Sequence, residues 1–338
     1  MTTALALFSG GLDSTLACRV MMEQGVKVVA VKFVSPFFGA ELLAAPEAYR
    51  QKVRRQYGIE VVLRDVSKPY LRMLAAPAHG YGKNFNPCVD CKIMLMGKAL
   101  AMLPEFGASF LVSGEVLGQR PMSQRRDTLR IIERDSGCAD LLLRPLSALN
   151  LPPTKPEREG LVDRQRLYAF KGRNRTPQIE LAAHFGIEDY QSPGGGCVLT
   201  DPNQAARIKW LYREAGQQGR TPAAEDIRLL LAGRAFCLPG GAWLVLGRNQ
   251  AANEQLQKLG GPGDWQLTLR DHPGPLAILR QAAAGDDLQA AAGLVLRYAS
   301  PKIRAAGPAV VKAQGPDRQQ REITATPVSD EVLATWRR

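Results

Sequence analysis

Apolar residues open this chain in short runs, residues 4–7 (ALAL) and 26–33 (VKVVAVKF), rich in β-branched types and too short for core helices. Such runs predict strands buried on both faces of a parallel sheet. Residues 15–24 between them carry helical spacing and Gly25 ends it, giving a strand, helix, strand opening. Helical spacing returns over 45–56, residues 60–65 (EVVLRD) form a third strand, another helix begins over 69–74, and a further strand starts at Phe110. Alternation of this kind predicts an α/β fold with a doubly wound parallel sheet, its ligands gathered at the carboxyl ends of the strands.

After Asp201 the alternation lapses. Residues 204–215 read as a helix, 216–224 as a polar stretch, and 227–231, 236–238 and 242–246 as parts of a small β-rich unit. That unit continues through a helix ending at Leu259, a strand over 266–269 and a helix ending at Arg297. The expected organisation is a catalytic domain over 1–203, a linker helix over 204–222, a smaller α+β domain over 223–315 and a polar, loosely ordered tail over 316–338 with a short helix at 328–336.

The chain turns from its first strand into its first helix through residues 8–15, FSGGLDST. A glycine turn leading into a helix start aims several backbone N–H groups at one point, where the helix dipole favours an anion. Gly10 and Gly11 let the main chain approach a ligand, Ser9, Ser14 and Thr15 offer hydroxyls, and Asp13 suits a metal or a positioned phosphate. The P-loop needs a following Gly-Lys and the dinucleotide fingerprint a third glycine, and neither is present.

Composition adds partners. The 338 residues are 45% hydrophobic, enough for ordinary cores, and 44 Lys and Arg against 32 Asp and Glu leave a net charge of +12. That balance favours polyanions. Thirteen Lys and Arg against seven Asp and Glu fall within residues 120–175, ending in Lys171, Arg173 and Arg175, a group suited to RNA or nucleotide phosphates. No signal-like start or long uncharged apolar run is evident, so a cytoplasmic protein with reduced thiols and no membrane partner is expected.

Six cysteines are too few for a disulfide scaffold. Cys18, Cys138 and Cys237 read as packing residues. Cys88 and Cys91 stand as CxxC in NPCVDCK at a helix start, where the dipole is expected to lower their pKa, and Cys197 follows Pro193 and three glycines. Three thiolates suit an iron–sulfur cluster with one iron left open, or a redox pair with a spare, better than a four-ligand structural zinc.

SGGLDS at the end of the first strand resembles the SGGxDS signature of the PP-loop, or N-type ATP pyrophosphatase, superfamily of the adenine-nucleotide alpha-hydrolase type. With Cys88, Cys91 and Cys197 the chain looks like the PP-loop tRNA thiolation enzymes, the 4-thiouridine and 2-thiouridine synthetases. That resemblance implies ATP and Mg²⁺ at Ser9, Gly10, Gly11, Asp13, Ser14 and Thr15, with Gly114, Glu115 and Gln119 beside the nucleotide. It implies Cys88, Cys91, Cys197 and Asp13 as catalytic residues, the cysteines holding a [4Fe-4S] cluster or cycling through a persulfide. tRNA and a sulfur donor, whether sulfide, a cysteine desulfurase or a carrier protein, are the implied partners. The chain departs from many thiolases in having GEVLGQ where they carry Gly-His and acidic residues.

Arg248 and Asn249 after a strand, the PGP at 273–275 and the RYAS at 297–300 resemble the RNA-binding domain of the NFACT family over roughly 223–315. The resemblance implies an RNA backbone contact by Arg234, Arg248, Asn249 and Arg297. Two alternatives stay open: a PP-loop amidating or C–N ligating enzyme, and an RNA-binding iron–sulfur module without thiolase activity.

Overall fold

A computed structural model describes residues 2–190, 197–281, 285–316 and 319–338. Pro193 and the glycines at 194–196 lie outside the described residues. The chain forms two compact units, Met1–Asp201 and Pro202–Arg338.

In the first unit the β-branched runs become β1 (Thr3–Leu7), β2 (Lys27–Val34), β3 (Glu60–Asp65), β4 (Phe110–Ser113) and β5 (Leu142–Leu143). They pair in parallel in the order β3-β2-β1-β4-β5. Because side chains alternate across a strand, the register of Leu5 with Val29 and Leu111 puts all three in one core cluster. Ala4, Ala6, Phe110 and Val112 belong to the other, with Leu12 and Leu16 of the helix Leu12–Glu23. The first cluster takes Met96 and Ala99 from the helix Cys88–Ala101. Connections run outward from β1 in one direction and outward from β4 in the other. The turn after β1 therefore opens onto the crevice where strand order reverses, the place this topology reserves for ligands.

A buried ion cluster joins that crevice to the helix Cys88–Ala101. Glu115, just beyond β4, is 3% exposed, and its carboxylate lies 3.1 Å from Lys92 Nζ and 3.0 Å from Arg144 Nε. Ser113 Oγ donates to the same carboxylate, and the 2% exposed Arg144 also binds Glu133. Burial alone would raise the Glu115 carboxyl, but Lys92 and Arg144 outweigh it and hold the group at about 2.

Three local expectations are corrected. The stretch 227–231 belongs to the helix Ala224–Ala232, whose first turn carries Glu225 and Asp226, with Asp226 accepting from Ala223 N. Its apolar run fitted either element, and the acidic start was the helix signal. The spacing of residues 164–170 also predicts a helix, but they form only a short 3₁₀ turn at Arg164–Arg166, because Tyr168 N and Phe170 N bond instead to the carbonyls of Pro145 and Leu146. The polar tail is structured: β11 (Gln320–Ala325) pairs antiparallel with β10 (Ala309–Gln314), and a helix follows over Asp330–Trp336. Its polarity marks the exposed face of an edge strand whose Ala325 is buried.

The second unit is an antiparallel sheet that also contains β6 (Arg234–Cys237), β7 (Trp243–Leu246), β8 (Trp265–Leu269) and β9 (Ala277–Arg280). Its strand order is β11-β10-β8-β9-β7-β6. The helix Gly285–Arg297 packs Leu288, Ala291, Leu294 and Val295 on Leu244, Leu267, Leu279 and Val311. Among the described residues no helix is long and apolar enough to cross a membrane.

Replacing Glu115 by Gln leaves the buried Arg144 and the half-buried Lys92 against a neutral partner. The expected cost is about 3–5 kcal/mol in urea unfolding at neutral pH. A carboxyl held down in the fold contributes its stabilisation fully above its unfolded value and loses it as pH falls. Wild-type stability should therefore drop between pH 4.5 and about 2 by more than that of Glu115→Gln, measured by unfolding across that window.

Candidate active site

The turn after β1 is shaped by its own short bonds. Gly10 adopts φ +86°, and Gly11 precedes a helix that no side chain caps. Ser9 Oγ accepts from Gly11 N at 3.2 Å, while Ser14 Oγ and Thr15 Oγ1 donate to Gly11 O at 2.8 and 3.2 Å. Ser14 and Thr15 are buried, so these hydroxyls brace the turn while the backbone N–H groups of the helix start form its anion-seeking end. Lys32 Nζ, from the end of β2, donates to Ser9 O; burial lowers its pKa against the opposing effect of Glu41. Phe8, Ser9, Gly10, Lys32, Tyr49 and Lys52 help line a cleft of about 290 Å³ beside the turn.

Asp13 is clasped from two segments, the loop after β4 and the start of the helix Thr176–His184. Its Oδ2 accepts from Gln119 Nε2 at 2.8 Å, Gln178 Nε2 donates to Gln119 Oε1 at 3.3 Å, and Arg175 lies 3.8 Å from Oδ1. That Oδ1 is buried and has no hydrogen-bond partner. An orphaned carboxylate oxygen next to a helix N-terminus fits a divalent cation accompanying a bound phosphate.

Gly114 presses directly on this turn. A Cβ there would stand 2.4 Å from Asp13 O and 2.6 Å from Ser14 N. The next residue, Glu115, is tied to Lys92, the neighbour of Cys91. The loop after β4 also pairs Leu117 with Lys171, and Gly172 N donates to Leu117 O. Lys171 and Arg173 are exposed at that junction, whereas Arg175 is turned onto Asp13. Glu115, expected beside the nucleotide, is a buried carboxylate matched by two cations.

Cys88 begins the helix Cys88–Ala101, Cys91 stands one turn on, and both interact electrostatically with Cys197 and Tyr70. The Tyr70 side chain stands beside the Cys91 thiol, and its ring lies 5.3 and 5.4 Å from those of Phe37 and Phe38. Phe85 N bonds to Leu199 O and Asn84 Nδ2 to Thr200 O, stitching the Cys197 segment to the loop that precedes Cys88. Helix-start thiols were expected to have lowered pKa values. Burial instead pushes Cys91 up to about 12 despite Lys92, and raises Cys197 despite the Leu199 backbone bond and Arg120. Cys18 and Cys138 are buried in the core.

Among the described residues no three His, Cys, Asp or Glu side chains converge tightly enough to hold a single metal ion. Three thiols near one tyrosine offer the soft donors that an iron–sulfur cluster takes. Tyr70 escaped the sequence reading, since a lone tyrosine at helical spacing looks like core. In the second unit Asn249 caps the helix Gln250–Leu259 by accepting from Ala252 N, and Arg297 is paired with Asp330.

The family described as thiamine biosynthesis protein (ThiI) matches residues 1–151, and the NFACT protein RNA binding domain matches residues 233–337. A probable tRNA sulfurtransferase of Thermococcus kodakarensis is 31% identical over 43% of this chain and 37% of its own length. That of Methanothermobacter thermautotrophicus is 37% identical over 34% of this chain and 29% of its own. The chain thus spans well under half the length of these curated relatives. A U34-tRNA thiolase NcsA from Methanococcus maripaludis, solved with its [4Fe-4S] cluster, aligns over 68% of this chain and 70% of its own at 18% identity and TM-score 0.34. A 4-thiouridine synthetase solved with RNA and ATP aligns over 55% and 52% at 19% identity and TM-score 0.35; scores this low carry no inference. On the sequence matches, the first unit resembles the PP-loop tRNA sulfurtransferases and the second the NFACT RNA-binding domain.

Proposed function

We propose that this protein is an ATP-dependent tRNA sulfurtransferase that thiolates a uridine through an adenylated base. The observation that carries the reading is the continuous run of contacts from Asp13 and Ser14, through Gly114 and Glu115, to Lys92 and the cysteine helix. Thiolation by adenylation needs a phosphate-binding turn and a sulfur-handling group close enough to act on one carbon. Loops from successive ends of a parallel sheet meet that requirement.

The turn over 9–15 and Lys32 take the ATP phosphates, and Asp13 helps hold Mg²⁺. The uridine carbonyl oxygen attacks the α-phosphate, pyrophosphate leaves, and a poor leaving group becomes AMP. Sulfur delivered as sulfide, or passed from a desulfurase or carrier protein, attacks the activated carbon, and AMP departs with the original oxygen. Cys88, Cys91 and Cys197 would hold a [4Fe-4S] cluster, which when bound supplies an iron position left open by the protein at which sulfide can be presented. The count of three cysteines, one more than a redox pair needs, favours this over a free persulfide nucleophile. The exposed Lys171 and Arg173, and the second unit, supply tRNA contacts.

Anaerobically purified wild type should contain iron and acid-labile sulfide, and should form thiouridine in unmodified tRNA when given ATP and sulfide. The Cys88→Ala, Cys91→Ala, Cys197→Ala variant should lose both iron and product. An iron-free wild type after reconstitution rules out the cluster, thiouridine formation by the triple variant rules out a role for these cysteines, and ATP-dependent pyrophosphate release with no thiouridine in the wild type and triple variant alike favours an amine acceptor. Gly114→Ala places its methyl against the Asp13 backbone, where nothing flexible can yield. Pyrophosphate release should fall by at least about 100-fold, in line with an ångström-scale misplacement, while iron content stays near wild type.

A further inference from the structure

Four large apolar side chains are exposed among the described residues, and two of them, Tyr81 (40%) and Met122 (37%), come together. Met122 belongs to the loop after β4, and Tyr81 to residues 76–87, which run from the helix Ser67–Ala75 into Cys88. Gly82 makes their meeting possible. A Cβ there would stand 1.8 Å from Met122 Cε and 2.7 Å from its Sδ, so the thioether fills the space that the glycine leaves. Tyr81 is held as a fixed plane: its hydroxyl donates to Leu74 O at 2.7 Å, and its ring stacks on that of the buried Phe85, centroids 4.5 Å apart and planes 21° from parallel. Phe85 N and Asn84 Nδ2 tie the same loop to the carbonyls of Leu199 and Thr200, just beyond Cys197.

The pair borders the space between the turn over 9–15 and the thiols. Gln119, on the loop of Met122, holds Asp13, and Arg120 beside it acts electrostatically on Cys197. A flat aromatic face next to a polarizable thioether suits a planar ligand. The charges around it say which. Lys83 and Arg120 are both exposed, and among the described residues neither has a carboxylate partner. A ring face flanked by cations without acids is complementary to a nucleobase and the phosphates on either side of it, whereas a purely apolar partner would use the ring alone.

We propose that Tyr81 and Met122 seat the base that the reaction modifies, Tyr81 stacking on it while Lys83 and Arg120 meet the adjacent phosphates. The inference rests on the thiolation reading and names the form in which that substrate arrives. A base paired within a helix has its faces covered by its neighbours, so this seat takes a uridine that is unpaired and turned out of the stack. Because the plane of Tyr81 is set by Phe85 and Leu74 before binding, the ring gives up little freedom when the base docks.

Photocrosslinking tests the seat without requiring turnover. The full chain is irradiated with either of two short RNA hairpins carrying one 4-thiouridine, in the loop of the first and in the stem of the second, and the crosslinked peptides are mapped by mass spectrometry. The loop base should join peptides containing Tyr81 or Met122, and the stem base should not. Tyr81→Leu, which keeps apolar volume without a ring, and Met122→Ala should each lower that yield, the former at least about 5-fold. Tyr81→Phe and the exposed control Leu149→Ala should stay near wild type, with all four variants melting close to the wild-type temperature. Crosslinking at these peptides by a wild type that forms no thiouridine keeps the seat and fails the proposed reaction. Thiouridine formation without such crosslinks keeps the reaction and overturns the seat, as do equal yields from loop and stem bases or yields unchanged in both Tyr81→Leu and Met122→Ala.

Discussion

Between the last residue of β4 and the helix that carries Cys88 and Cys91, the chain has one charged group to spare, and it is buried. Ionised Glu115 could not remain at that depth without Lys92 and Arg144, and neither cation has another partner able to replace it in full. The cluster therefore fixes three elements at once: the loop after β4, β5 through Arg144, and the cysteine helix through Lys92. Gly114, immediately before it, has no side chain and so lets the same loop rest on the backbone of Asp13 and Ser14. The phosphate-type turn and the cysteines are held in a set relation by two adjacent residues, one acting through contact and one through charge.

That dependence explains which parts of the molecule were legible in the amino-acid order. The strands and the turn over 8–15 are local patterns: β-branched runs, glycines and a helix start within a few residues. The pairing of Glu115 with Lys92 and Arg144 joins residues 23 and 29 positions away, and nothing local distinguishes a carboxylate that will meet two cations from one that will face solvent. A carboxylate after a strand thus read as a neighbour of the nucleotide and not as the centre of an ion cluster. Tyr70 was equally hidden, because its hydroxyl meets Cys91 only after the helix Ser67–Ala75 packs on its neighbours. Residues 320–325 were misjudged for another reason: the outward face of an edge strand has the composition of a disordered tail.

The thiols illustrate the limit of a motif. CxxC at a helix start carries the expectation of stabilised thiolates, and the helix dipole does act in that direction. Burial acts in the other and is the larger effect for Cys91. Removing a thiolate from water costs more than a half charge at one side returns. What remains is a donor set that becomes anionic when a metal takes the place of the proton.

The thiols near Tyr70 are kept where burial disfavours their charged form. A core of apolar residues there would have been easier to stabilise. Retaining polar groups at such a cost is physically consistent when a ligand completes them, since the binding free energy then draws on groups the protein has already desolvated and oriented. In the proposed function that ligand is an iron–sulfur cluster, and unfavourable burial in the free protein becomes preorganisation in the bound one.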